Sequence, residues 1–200
     1  RVSNTSLGVE IEVEGSPAAV EGLLHALRHQ LPPLARVDLL RVRELEPAGM
    51  RGFTIIESSS RAGGAALISP DVATCAACMA ELGNPEDRRR GYPFTNCTDC
   101  GPRFTIVQSV PYYRPLTTMA AFPLCPACQA EYRDPLNRRF HAEPNACPVC
   151  GPQLSLLAPD GSVLDEGDPL TAAQERLRAG QVLAVKGLGG YHLACLASSE

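Results

Sequence analysis

Cys75-Ala76-Ala77-Cys78, Cys97-Thr98-Asp99-Cys100, Cys125-Pro126-Ala127-Cys128 and Cys147-Pro148-Val149-Cys150 hold eight of the nine cysteines of the 200-residue chain. The four pairs are separated by 18, 24 and 18 residues, so the two outer gaps are equal. Laying residues 75–104 over 125–154 needs no gap and gives 12 identities in 30 positions. These include all four cysteines, an Ala-Cys-x-Ala-Glu core, an Arg-Arg pair and a Cys-Gly-Pro end. A period this regular marks two copies of one supersecondary unit.

Two residues between cysteines let both sulfurs of a pair face one point, and two pairs can surround a tetrahedral Zn²⁺. The simplest assignment is one structural zinc per repeat: Cys75, Cys78, Cys97 and Cys100 in the first, Cys125, Cys128, Cys147 and Cys150 in the second. A crossed arrangement exchanging pairs between repeats fits the spacing less simply. If the repeats are self-contained, Cys97→Ser should strip one site and spare the other. Gly101 and Gly151, each following a second cysteine, suit a ligand loop that needs positive φ. A disulfide framework competes poorly, because no signal peptide is visible and a chain of this length needs no staples. Thioredoxin-like redox chemistry calls for one pair beside a βαβ unit rather than an array. A four-thiolate site also suits an iron–sulfur cluster.

Composition points to a globular cytoplasmic protein. The chain is 44% hydrophobic and 20% charged with a net charge of −4, enough to bury a core without suggesting a polyanion partner. No apolar run approaches a membrane span. Within residues 71–157 eight arginines face eight acids, and two four-thiolate zinc centres would make the region net acidic. That disfavours a ribbon built for phosphate backbones, so no nucleic acid is expected. Arg88-Arg89-Arg90 and Arg138-Arg139 occupy equivalent repeat positions, which suggests a shared structural role such as pairing with Glu81 and Glu131.

The flanks read differently. After a short stub at Val2-Ser3-Asn4, Val9, Ile11 and Val13 alternate with glutamates, the period of a strand with one wet face. Ser16 and Pro17 then start a helix whose stripe is Val20, Leu23, Leu24, Leu27 and Leu31, stopped by Pro32-Pro33. Further strands are expected through Val37–Val42 and Phe53–Ile56. His25 and His29 sit one turn apart with no third ligand nearby. Near the other end a helix over 171–179 with Gly180 as its cap leads into a buried strand, Val182–Val185. Lys186-Gly187-Leu188-Gly189-Gly190 follows, a phosphate-cradle composition that fits no standard nucleotide fingerprint. Cys195 reads as a buried core thiol.

These pieces carry a resemblance. Val2-Ser3-Asn4-Thr5-Ser6-Leu7-Gly8-Val9, with its alternating strand ending in Glu14-Gly15, resembles the second-strand region of acylphosphatases. The eight-cysteine spacing directly after it is similar to that of hydrogenase-maturation carbamoyltransferases, the HypF family. Tyr92–Phe104 and Arg138–Pro152 look like that family's finger segments, and Lys186–Cys195 looks like the opening of a YrdC-like domain. Leu196 stands where the family pattern suggests an acid.

The resemblance implies an α+β multi-domain chain with five segments. They are a partial ferredoxin-like α/β sandwich (1–60), a linker (61–70), the tandem four-cysteine zinc-finger module (71–157), a second linker (158–169) and the start of a YrdC-like α/β domain (170–200). It also implies that the chain is a fragment, with the acylphosphatase phosphate loop and arginine lying upstream. Asn4 would orient the attacking water; Lys186, Gly187 and His192 would bind nucleotide. The larger enzyme would use carbamoyl phosphate and ATP with magnesium, form a carbamoyl-adenylate, and pass the carbamoyl group to the C-terminal cysteine of a hydrogenase-maturation partner. The alternative is a zinc-ribbon module that docks nucleic acid or protein without catalysis.

Overall fold

The structure is a computed structural model and describes residues 1–5, 8–56, 68–110, 112–164 and 167–197. Strand β1 (Val2–Thr5) pairs antiparallel with β2 (Gly8–Ile11) in the register Val2↔Ile11. Helix α1 (Pro17–His29) follows, and the short β3 (Ile55–Ile56) returns parallel to β1, giving the sheet order β2-β1-β3. The α1 boundaries follow from capping. The Ser16 side chain accepts from the Ala19 amide at 3.4 Å, and Pro17 sits where a missing N–H costs nothing.

Two expectations for this unit fail. Residues 37–42 form no strand, and the third expected strand shrinks to Ile55–Ile56. An apolar run becomes a strand only when a neighbour offers a backbone ladder, and β1 already has β2 on one side and β3 on the other. The alternating strand ends at Ile11, and Val9 and Ile11 remain exposed because no described layer covers them. The α1 stripe is half-buried at Val20, Leu23, Leu24 and Leu27, with Leu31 exposed beyond the helix end. The expected linker 61–70 lies largely outside the described residues.

The finger region holds nearly all of the fully buried residues described. Each repeat opens with a two-turn helix, α2 (Ala76–Gly83) or α3 (Pro126–Arg133), whose N-cap is its first cysteine. Between the repeats the chain makes three 3₁₀ turns, Phe104–Ile106, Arg114–Leu116 and Thr118–Ala121. Ile106 and Met119 from these turns pack with Tyr92 of the first repeat and Ala146 of the second. One apolar core therefore serves both repeats. Buried Arg114 ties the connection down, donating to the Asn145 carbonyl at 2.9 Å and, from its amide, to the Glu143 carboxylate at 2.7 Å.

Beyond the fingers, residues expected as linker form a tight reversal. Leu157 bridges Val163, and Asp160 accepts from the Ser162 amide at 2.9 Å around the Asp160-Gly161 turn. Helix α4 (Pro169–Arg178) is capped by Asp168, which accepts from the Thr171 amide at 2.8 Å. Ala179 is its C-cap, and Gly180 follows in the left-handed conformation at φ 81. Its amide bonds to the Leu177 carbonyl and that of Gln181 to Arg176, a Schellman close. Strands β4 (Leu183–Lys186) and β5 (Tyr191–Ala194) then form an antiparallel hairpin. The expected burial of this strand is not found: Val182 and Val185 are exposed, as is Cys195. Within the two strands only Leu183 and Ala194, which pair with each other, are half-buried, and α4 contacts β4.

Candidate metal centres

Capping each short helix with a cysteine aims that sulfur and the one three residues on along the same helix end. The second Cys-x2-Cys loop of the repeat folds back against them. In the first repeat the Sγ separations are 3.7 Å for Cys75–Cys97, 3.8 Å for Cys97–Cys100 and 3.5 Å for Cys100–Cys78. In the second they are 3.7 Å for Cys125–Cys147, 3.7 Å for Cys147–Cys150 and 3.6 Å for Cys150–Cys128. Four sulfurs at about 2.3 Å from one tetrahedral centre lie about 3.8 Å apart, so both groups fit a four-thiolate metal. All four ligand atoms of each group fall within 4.8 Å of one another. The grouping is within repeats, not crossed. Four thiolates would fill the coordination sphere of a tetrahedral ion and leave no open position on it.

The thiols are unequal without a cation. For Cys125, the amide of Cys128 stabilises the thiolate and outweighs burial, bringing the group down to about 6. For Cys75, burial acts upward but the Cys78 amide and neighbouring sulfurs prevail, giving about 7. Burial pushes Cys128 up to about 12 and raises Cys78 and Cys97 as well. Crowded, buried sulfurs resist sharing negative charge. A divalent cation removes that conflict, which suits this donor set to a soft or borderline metal.

The glycines after the second cysteines serve two purposes, not one. Gly101 is left-handed at φ 97, as the spacing suggests. Gly151 is not; there a Cβ would lie 2.0 Å from Tyr92 Oη and 2.5 Å from Ala146 Cβ. His141 adopts φ 51 where its repeat equivalent, Gly91, has φ 67, and it stacks on Tyr132 rather than joining the cysteines.

The arginine pairs find the expected glutamates, but across repeats. Arg89 grips Glu131, with Nη1 at 3.0 Å from Oε1, and Arg88 approaches the same carboxylate at 2.6 Å. Arg139 grips Glu81, and Arg138 Nη1 lies 3.6 Å from Glu81 Oε1. The repeats are therefore not self-contained, which removes the reason for expecting Cys97→Ser to spare the second site. Spacing alone carries no sign of this exchange, since each arginine pair has a glutamate in its own repeat.

The remaining candidate residues lie on the flanks. Asn4 is paired through its backbone with Val9 in β1, and its side chain lies outside the described residues. Lys186 pairs with Tyr191 across the hairpin, its Nζ 5.0 Å from the ring centroid. His192 pairs with Val185 and so occupies the opposite face, where a Cβ on Gly187 would meet its Nε2 at 2.6 Å. The structure brings Gly187 and His192 together and sets Lys186 apart. The Gly187 amide donates to the Gly190 carbonyl at 2.7 Å, closing the turn. His25 and His29 stack at 4.6 Å on exposed α1 and gather no third ligand among the described residues.

Fold and site together define a protein with two four-cysteine fingers and a small α/β unit preceding them. Comparison with known proteins agrees. The HypF finger family matches residues 74–107 and 124–157, and the acylphosphatase family matches 1–55. The carbamoyltransferase HypF2 of Cupriavidus necator is 52% identical over 196 residues, covering 97% of this chain and 24% of the relative. HypF of Rhodobacter capsulatus is 52% identical over 198 residues, or 99% of this chain and 26% of its own length. Among solved structures, full-length HypF in a phosphate- and nucleotide-bound form superposes with TM-score 0.84 at 39% identity, covering 99% of this chain and 26% of that one. The chain is thus similar to HypF carbamoyltransferases over nearly its whole length, and it spans about a quarter of the length of these relatives.

Proposed function

We propose that the chain works as part of a larger carbamoyltransferase. That enzyme hydrolyses carbamoyl phosphate to carbamate and phosphate. It then joins carbamate to ATP with loss of pyrophosphate, giving carbamoyl-adenylate, and passes the carbamoyl group to the C-terminal cysteine of a partner protein. The product serves the cyanide ligands of nickel–iron hydrogenase maturation. The observation that carries this reading is unbroken similarity to HypF carbamoyltransferases over 97% or more of the chain, at about half identity.

Within that enzyme we assign units at 1–60, 71–157 and 170–200, joined by 61–70 and 158–169. Zinc held by Cys75, Cys78, Cys97 and Cys100, and by Cys125, Cys128, Cys147 and Cys150, staples the middle unit. Asn4 orients water at the acylphosphatase site. Gly187 and His192, on one face of the hairpin, meet the nucleotide, with Lys186 supplying a flexible positive charge from the other face and magnesium accompanying ATP. A cytoplasmic setting fits cysteines kept as thiolates, and no described helix is long and apolar enough to cross a membrane. A nucleic-acid-binding module is disfavoured because four finger arginines are already engaged with glutamates.

The test is pyrophosphate release from ATP that depends on carbamoyl phosphate, measured on the full-length protein containing this sequence. Asn4→Ala should slow carbamoyl-phosphate hydrolysis, and Lys186→Ala or His192→Ala should weaken ATP use. No carbamoyl-phosphate-dependent turnover would rule out the enzyme reading.

A further inference from the structure

Each cysteine group is completed by side chains from the other repeat. Arg88 Nη2 donates to Cys128 Sγ at 3.2 Å and Arg89 Nη2 does so at 3.5 Å. Arg89 Nε also holds the carbonyl of Ala146, the residue before Cys147, at 2.8 Å. The reverse exchange is built the same way. Arg138 Nη2 donates to Cys78 Sγ and lies 3.8 Å from Cys75 Sγ, while Arg139 Nε holds the carbonyl of Asn96, the residue before Cys97, at 3.0 Å. Arg89 and Arg139 are only 2% and 3% exposed. Each arginine pair thus grips both halves of the opposite group: a sulfur of its first Cys-x2-Cys and the backbone entering its second.

We propose that these four arginines couple the two groups, so that zinc loads and leaves them as a pair. A metal with four thiolates carries two negative charges, and charge-assisted hydrogen bonds to the sulfurs offset them in a buried setting. An arginine can be aimed at the far site only when its own repeat is folded. An eight-residue helix and its turn are too small to hold that fold without the metal. Filling one site therefore orders the arginines that the other site needs. The dependence runs equally in both directions, as any coupling between two binding sites must.

The inference rests on the zinc reading, and the experiment separates the two. The reduced, metal-free chain is titrated with zinc and the species at half-saturation are counted by native mass spectrometry. A chain that never takes up two zinc ions overturns the zinc reading itself. If two bind, independent equal sites give the statistical share of singly loaded chains, and independent unequal sites give more. Only positive coupling gives less, and less is the expected result. A singly loaded share at or above the statistical one overturns the proposal. Replacing Arg88→Gln and Arg138→Gln together should restore the singly loaded species and weaken zinc binding by about 10–100-fold, read by competition with a chromophoric chelator. Depletion that survives this double replacement places the coupling outside the arginines. If the double variant no longer takes up two ions, Arg138→Gln alone decides: it should raise the singly loaded share, and no rise overturns the assignment.

Discussion

Glu131 sits where burial and charge oppose each other. Burial acts to raise its carboxyl, but hydrogen bonds from Arg89 and Arg88 outweigh that and hold it down to about 2, against an ordinary 4.5. The folded-state value lies below the unfolded one, so the pairing contributes its full stability above about 4.5 and loses it as the pH falls toward 2. Carboxyl-carbon NMR should show Glu131 still ionised at pH values where exposed glutamates are protonated. The stability gap between wild type and Glu131→Gln should narrow over the same window. Gly151 offers a second test at this scale. Its missing side chain makes room for Tyr92, whose hydroxyl donates to the Pro152 carbonyl at 3.2 Å. Gly151→Ala should lower the stability of the zinc-loaded chain by about 1–3 kcal/mol or more, measured by denaturant unfolding. The cysteines could be read from spacing because ligand chemistry fixes spacing. The reason for Gly151 could not, because it lies in a tyrosine from the other repeat.

At the scale of elements, what could be read in advance is what local chemistry fixes. Ser16-Pro17 opens α1 as expected, and Gly180 closes α4 within a residue of its expected position. Both ends are set by one or two residues acting on adjacent backbone. Residues 37–42 show the opposite case. Their apolar pattern resembles a strand, but a strand needs a ladder partner, and pattern alone does not provide one. The hairpin β4–β5 lies between these extremes: its strand was legible, while the burial inferred from its apolar run was not, since burial depends on what packs against it. The α4 end gives the sharpest test. Gly180 is left-handed at φ 81 with no atom within 4 Å of a hypothetical Cβ, so a substitution there meets backbone strain but no clash. Gly180→Ala should cost about 1–2 kcal/mol through that strain alone. Gly180→Asn should cost less, because Asn tolerates the left-handed region better. Equal losses for the two variants, read from helical circular dichroism on heating, would show that the Schellman close is not what ends the helix.

Across the whole molecule, burial is concentrated in one place. Apart from Ala172, every fully buried residue among those described falls between Cys78 and Gly151. Helix α1 has none, and Val182, Val185, Leu188, Tyr191 and Leu193 of the hairpin region are all exposed. Local stability follows buried contacts, so backbone hydrogen bonds in the flanks should open far more readily than those of the fingers. The fingers themselves carry a small apolar core of Tyr92, Ile106, Met119 and Ala146, too little to hold two short helices and three 3₁₀ turns without their metal centres. Two consequences separate cleanly in hydrogen exchange read by mass spectrometry. With zinc bound, the slowest amides should lie in residues 75–151, including Cys100, whose amide donates to the Cys97 carbonyl, Gly151, whose amide donates to the Cys147 carbonyl, and Thr98, whose amide crosses to the Arg138 carbonyl at 3.0 Å. On chelation that protection should collapse in both repeats together, because one core and one exchanged set of arginines join them. Exchange in α1 and in β4–β5 should barely change, since neither contributes to the cysteine groups. Protection lost from one repeat while the other keeps its own would mean that the shared core is too weak to bind the repeats into one unit, despite the contacts that cross between them.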